Sequence, residues 1–313
     1  MNGFVYVAAP HINALNVYSP GASGDVAPFA TLSDSNPGLN SPQGIAVQGD
    51  RLYVANGPFG NGSGSPSIAV FSLPLAAGID NVGPIAVIAG PATGLNSPFG
   101  LALDPSGDIF VANSTNTVTE YGPPTASSYG APDNATPLLT ISSGLSGPEG
   151  VAIKGTTLFV SNDNNTITEY ALPGGTPGTT ISGANTGLAK PLGVSIDSSG
   201  DLFVVDNGGN SSSESVLEFS PGAMGNASPV ATISGSVTTL NSPQFVFIAT
   251  CSSGGTPPTT SAVSAPGTTT PVPKTTVAAK AGITTWLSWP AVTGAVIAAG
   301  VVVIIVVKRS RRR

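Results

Sequence analysis

Four stretches of the chain repeat one order of apolar and polar positions. Each opens with Pro-x-Gly and a short apolar run, at 42–47, 98–103, 148–153 and 191–196. A Gly-containing turn follows, as in "DPSGD" at 104–108 and "DSSGD" at 197–201, or the shorter "QGD" and "KGT". Glycine reaches positive φ without a Cβ clash, so it closes a tight hairpin. A second apolar run ends in a small polar residue, Asn56, Asn113, Asn162 or Asp206. A third alternates toward an aromatic in "IAVFS", "VTEYG", "ITEYA" and "VLEFS", and a fourth, "PIAVIAG", "PLLTISS", "TTISG" and "PVATISG", closes the unit. Short alternating runs rich in β-branched and aromatic residues read as strands. Four antiparallel strands recurring every 43 to 56 residues, from the spacings of Pro42, Pro98, Pro148, Pro191 and Pro243, predict an all-β fold of β-propeller blades.

The N-terminus enters this pattern one strand late. "FVYVAA" at 4–9 matches a second strand, "LNVYSPG" at 15–21 a third and "APFATLS" at 27–33 a fourth. "PQFVFIA" at 243–249 supplies a lone first strand. Pairing 243–249 with 4–9 would complete a fifth blade from both termini and remove two open sheet edges. No helical pattern precedes residue 281.

With 40 glycines, 29 prolines and 8% charged residues, the chain is turn-rich. Its net charge of -6 hides an asymmetry: all 16 acidic residues precede residue 220, whereas that body holds only Arg51, Lys154 and Lys190 as bases. Such a surface repels phosphate backbones and argues against nucleic acid as a partner. The single cysteine, Cys251, excludes an intrachain disulfide and any multi-cysteine metal site.

Beyond residue 249 the composition changes. Residues 250–281 are dominated by Thr, Ser, Pro, Gly and Ala and read as a disordered stalk. No charge interrupts Ala281 to Val307, and Trp286 and Trp289 stand where an interfacial belt would be, so 282–307 is expected to be a transmembrane helix. The basic "KRSRRR" at 308–313 would stay in the cytoplasm by the positive-inside rule, leaving the 1–249 propeller outside on a single-pass cell-membrane anchor. "MNGFVYVAAP" has neither the basic region nor the apolar core of a signal peptide, so an upstream start is expected.

The signatures "P-x-G-[IVL]-A-[ILV]" and "D-x-S-G-D-[IL]-F-V-[AV]-[ND]" resemble the NHL-repeat and related lactonase-like propellers over residues 1 to about 250. The repeats count to five blades; the usual six of that family would apply if the start is truncated. The first strand of each blade lines a propeller's central channel. Its second residue and the end of the second strand then converge on one face, bringing together Gln43, Phe99, Glu149, Leu192 and Gln244 with Asn56, Asn113, Asn162 and Asp206. His11 lies in the equivalent loop of the composite blade. The resemblance implies that Glu149, Asn162 and Asp206 match a divalent-cation site, for which oxygen donors would suit calcium.

Asn and Asp after a strand also cap turns through their own backbone, and one Glu among neutral neighbours makes no ligand cluster. A zinc lyase would need several His where only His11 exists, and no nucleophile elbow supports serine hydrolysis. No catalytic residue, metal ligand or cofactor is therefore expected. The reading is a surface-exposed, non-enzymatic binding or scaffold module for a glycan or protein. Its ligand face would comprise Gln43, Asn56, Phe99, Asn113, Glu149, Asn162, Asp206 and Gln244. The alternative is an exported calcium-dependent lactonase-like hydrolase.

Overall fold

Alternating side chains send successive residues of a strand to opposite faces, and here both faces of most sheets are buried. The computed structural model describes residues 4–249 apart from 20–21, 23–24, 34–37, 58–64, 80–81, 126–130, 209–213 and 236–243, together with 303–307. Blade 1 contains β1 (Val5–Ala9), β2 (Ala14–Tyr18) and β3 (Ala30–Leu32). Blade 2 is formed by β4 (Pro42–Gln48), β5 (Arg51–Asn56), β6 (Ser67–Ser72) and, after the short β7 (Gly78–Ile79), β8 (Ala86–Ala89). Blade 3 is β9 (Pro98–Leu103), β10 (Ile109–Asn113), β11 (Thr117–Tyr121) and β12 (Leu139–Ile141). Blade 4 is β13 (Pro148–Lys154), β14 (Thr157–Asn162), β15 (Thr166–Ala171) and β16 (Thr176–Ile181). Blade 5 is β17 (Pro191–Ile196), β18 (Leu202–Asp206), β19 (Ser215–Phe219) and β20 (Ala231–Ser234). Five four-stranded blades of a β-propeller result, with β21 (Phe245–Ala249) and β22 (Val303–Val307) forming a separate pair. The helical content among the described residues is two 3₁₀ turns, Pro10–Ile12 and Ala184–Thr186.

The inner strands β4, β9, β13, β17 and β21 stand side by side. The Gly of each Pro-x-Gly makes this approach possible. A Cβ on Gly44 would lie 2.4 Å from the Phe99 carbonyl oxygen, one on Gly100 2.6 Å from that of Glu149, and one on Gly150 2.4 Å from that of Leu192. The series continues at β21, where the Gly193 N–H donates to the Gln244 carbonyl at 2.6 Å.

Four apolar clusters fill the four spaces between consecutive blades. Leu15, Val17 and Leu32 meet Leu52, Val54 and Phe71 between blades 1 and 2, and Ile68, Val70 and Ile88 meet Ile109, Val111 and Tyr121 between blades 2 and 3. Ala112, Val118 and Ile141 meet Leu158, Val160 and Tyr170 in the third space. Ile167 and Ile181 meet Leu202, Val204 and Phe219 in the fourth. The aromatic of the third strand is thus a core residue in blades 2 to 5. Tyr121 donates its hydroxyl to the Thr93 carbonyl at 2.5 Å and Tyr170 to that of Ser143 at 2.8 Å, and burial pushes both phenols up to about 12.

Two expectations about the ends are corrected. The fourth strand of the first sheet is β7, which runs parallel to β3 and comes from the loop of blade 2. The expected pairing of 243–249 with 4–9 is not made. β1 ends its sheet with β2 as its neighbour, while β21 takes the inner-strand place beside β17 and bonds in parallel to β22. The physical reason lies in the partner: "VIIVV" is wholly β-branched, and such a strand satisfies the open N–H and C=O groups of an edge. Those five residues were expected at the end of a transmembrane helix and are a strand here. The remainder of the expected stalk, membrane helix and basic tail, 250–302 and 308–313, lies outside the described residues. Among the described residues no helix is long and apolar enough to cross a membrane.

Candidate functional site

In blades 2 to 5 the second strand ends in an amide or carboxylate, because the loop leading into the inner strand needs an acceptor there. Asn56 Oδ1 accepts the Asn40 N–H at 3.1 Å, Asn113 Oδ1 that of Asn96 at 3.0 Å, and Asn162 Oδ1 that of Ser146 at 3.1 Å. Asp206 Oδ2 accepts from the Ala189 and Lys190 N–H groups at 2.8 and 3.1 Å, and its Oδ1 from Gly208 at 2.9 Å. The three amides donate in turn to Ser67, Thr119 and Thr168 hydroxyls at 3.0, 3.0 and 3.2 Å. All four residues are buried, so these bonds satisfy groups that would otherwise be stranded away from water.

The residues after the prolines hold the same place in successive neighbouring inner strands, and so form a row that crosses from blade to blade. Gln43 is buried and donates from Nε2 to the Ser41 carbonyl and hydroxyl, both at 3.3 Å. Phe99 and Glu149 are half-buried, and Leu192 is buried. Gln244 Oε1 is a buried acceptor without a hydrogen-bond partner, as is the Asn40 Nδ2 donor on the loop into β4. Around the arc the row reads Gln, Phe, Glu, Leu, Gln, alternating polar with apolar.

Glu149 is the one titratable side chain of that row. Burial, and then the Asp163 carboxylate, raise its pKa to about 7 against an opposing pull from Lys190. Near neutral pH its carboxyl therefore spends much of its time as an O–H donor. His11 sits in the 3₁₀ turn Pro10–Ile12.

Two members of the cation set implied by the resemblance, Asn162 and Asp206, are engaged in their own loops. Asn162 Oδ1 and both Asp206 oxygens already accept backbone N–H groups. Among the described residues no group of three His, Cys, Asp or Glu could hold a metal ion.

Several bonding residues escaped the sequence reading, and most join one blade to the next. Asn13 and Asn116, at φ 49° and 57° in second-to-third-strand hairpins, accept the N–H groups of Ser41 and Gly147 at 2.6 Å each. Asn tolerates this left-handed conformation, so an Asn in a tight hairpin was the available signal. Gln48 Nε2 reaches the Asp104 carbonyl at 2.8 Å, and Lys154 Nζ reaches those of Asp197 and Ser198 at 2.9 Å each. Asn134 Oδ1 accepts from Ala92 at 2.9 Å and Asn226 Oδ1 from Asn185 at 2.7 Å. The Ser161 hydroxyl accepts the Gly150 N–H at 2.8 Å and donates to the Leu192 carbonyl of blade 5.

No protein-family model matches the chain, and no curated protein matches it. One similar solved structure is the WD40 beta propeller domain of Doa1, at 11% identity and a TM-score of 0.47. The match covers 71% of this chain and 62% of that one.

Proposed function

We propose that the chain is an NHL-type propeller acting as a non-enzymatic binding or scaffold module. Its ligand, a glycan or a protein segment, docks at the channel mouth. The observation that carries this reading is the chemistry of the row: one titratable group, Glu149, among amides and apolar side chains. Acid and base catalysis needs groups that exchange protons in partnership, whereas amides donate and accept without changing charge. Asn56, Asn113, Asn162 and Asp206 support the site from behind by fixing the loops into the inner strands. Gln43, Phe99, Glu149 and Gln244 supply the contacts. Phe99 offers an apolar surface for a sugar ring or side chain, and the orphan Gln244 Oε1 an acceptor for a hydroxyl or amide donor.

The tail reading completes the proposal. In the membrane-bound state we propose, 303–307 leave their pairing with β21 and 282–307 span the membrane, with 308–313 in the cytoplasm and the stalk holding the propeller off the outer surface. The charge distribution and the apolar run support it. The test of the site is binding of purified full-length protein to panels of neutral oligosaccharides and peptides, repeated with Phe99→Ala and Gln43→Ala. A ligand whose affinity falls about tenfold or more in each variant supports the reading. Lactone turnover that vanishes in Glu149→Gln with the fold intact would replace it with the hydrolase.

A further inference from the structure

β22 leads into the most basic stretch of the chain. Lys308, Arg309, Arg311, Arg312 and Arg313 follow Val307 directly and are five of the ten bases in the sequence. Where Val307 stands therefore decides which surface those charges meet. The Gly193 N–H donates to the Gln244 carbonyl, at the place where a Cβ on Gly150 would press on the Leu192 carbonyl, so β21 keeps with β17 the register that β17 keeps with β13. In that register Ile248 is level with Ile196 and Ala249 with Asp197. β22 runs parallel to β21 and its Val307 pairs with Ala249, so the basic stretch leaves its strand at the level of the first turn of blade 5. An antiparallel β22 would have released the same charges at the opposite end of the blades.

That turn is acidic. Asp197 and Asp201 bracket it, and Asp197 Oδ1 accepts the Ser199 and Asp201 N–H groups at 2.8 and 3.0 Å. Glu218 pairs with Phe203, two residues past Asp201. The equivalent place in blade 3 shows how near three such carboxylates come: burial, and then the Asp108 and Asp104 charges, raise the pKa of Glu120, which pairs with Phe110. In blade 5, Asp201 and Glu218 are half-buried and within reach of a partner. The same turn already takes a cation from the side of blade 4, since Lys154 Nζ donates to the Asp197 and Ser198 carbonyls at 2.9 Å each.

We infer that residues 308–313 dock on the carboxylates of blade 5 around Asp201 and Glu218, and that with β22 they form a latch that folds this segment back onto the propeller. Six extended residues reach about 20 Å, and the site lies one inner strand away from where they start. Guanidinium groups pair with carboxylates through two parallel N–H donors, so an Arg-rich segment suits this site better than a lone ammonium. Blade 3 carries the matching trio Asp104, Asp108 and Glu120 two blades further round the ring, without a basic segment delivered beside it. The latch also holds back the strand and the charges that the membrane-bound state would use, and that consequence alone rests on the membrane reading.

Amide exchange of the full-length protein in lipid-free, low-salt buffer tests the docking. Expected is protection across Phe245–Ala249 that falls about tenfold when the five bases of 308–313 are changed to Gln, the loss of a few partly exposed charge pairs. The Asp201→Asn, Glu218→Gln double variant should show the same fall, and combining the two sets should add nothing. Salt at about 1 M, where the screening length is about 3 Å, should bring the natural protein to the level of the variants. Asp108→Asn with Glu120→Gln in blade 3 should leave the protection unchanged. An unprotected Phe245–Ala249 in the natural protein, additive losses, a salt-independent loss or an equal loss from the blade 3 variant would overturn the inference. Phosphatidylserine vesicles separate it from the membrane reading: the expected exchange pattern in a protein that ignores the vesicles keeps the latch and removes the anchor, whereas tighter vesicle binding by the blade 5 double variant supports both.

Discussion

Asn113 has no exposed surface and three hydrogen bonds, to the Asn96 N–H, the Val111 carbonyl and the Thr119 hydroxyl. Its replacement by Ala removes a buried amide, takes from the Val111 carbonyl its side-chain donor and strands the buried Thr119 hydroxyl, while the Asn96 N–H, on an exposed residue, turns to water, a loss of about 1–3 kcal/mol. Urea denaturation of Asn113→Ala should show that loss, with ligand affinity at the mouth falling only as far as the loop shifts. Glu149 behaves differently because its carboxyl is raised to about 7 from the 4.5 of an ordinary glutamate. A carboxyl that holds its proton more tightly folded than unfolded adds stability below the lower value and gives it up as pH rises through the upper one. The propeller should therefore lose stability between about pH 4.5 and 7 on this account. Glu149→Gln should flatten that slope and match or exceed the natural protein at pH 8; thermal melts across the range check it. A slope unchanged in Glu149→Gln would show that the burial around this carboxyl is not what sets it.

The inner strands are where single atoms decide the packing of elements. Gly150 brings β13 so close to β17 that a Cβ would lie 2.4 Å from the Leu192 carbonyl and 2.9 Å from the Val194 nitrogen, both backbone atoms without room to yield. Gly49 has φ +61° and nothing within 4 Å of where its Cβ would be. Gly150→Ala should thus destabilise by several kcal/mol or fail to fold, while Gly49→Ala should cost about 1 kcal/mol through its backbone conformation alone. Chemical denaturation of the pair checks the contrast. Strand identity was legible along the chain because alternation and turn residues agree: the expected runs at 42–47, 109–113, 158–162 and 202–206 are all strands. The stitches between blades were less legible. Gln48, Lys154 and Ser161 act across 31 to 56 residues of sequence, and no local pattern announces which carbonyl a long side chain will find. The short β7 was hidden for a similar reason, since two residues of a loop carry no period of their own.

At the scale of the ring, the repeat count predicted five blades and five four-stranded sheets are present, but the way the ends meet was misread. The sequence period counts strands, whereas the ends are placed by which distant strands pair, as Phe245–Ala249 and Val303–Val307 do. The candidate residues were half legible: period alone placed Gln43, Phe99, Glu149 and Leu192 second in their inner strands and Asn56, Asn113, Asn162 and Asp206 at the ends of the next, while the bonds that employ the latter four in their own loops required coordinates. The state of the ends makes one measurable difference between chemically identical side chains. Ile181 and Ile233 hold the same place in blades 4 and 5, yet Ile181 is 1% exposed against blade 5 and Ile233 is 46% exposed. Truncating a buried isoleucine to Ala costs about 2–5 kcal/mol, since it removes apolar burial and leaves a cavity, whereas a half-exposed one loses little. Ile181→Ala should therefore lower stability by that amount and Ile233→Ala by about 1 kcal/mol or less, measured by urea denaturation of the two full-length variants side by side. Equal losses would mean that the outer face of blade 5 is packed as tightly as the joint between blades 4 and 5, and the ring would then be closed there by contacts of the same quality.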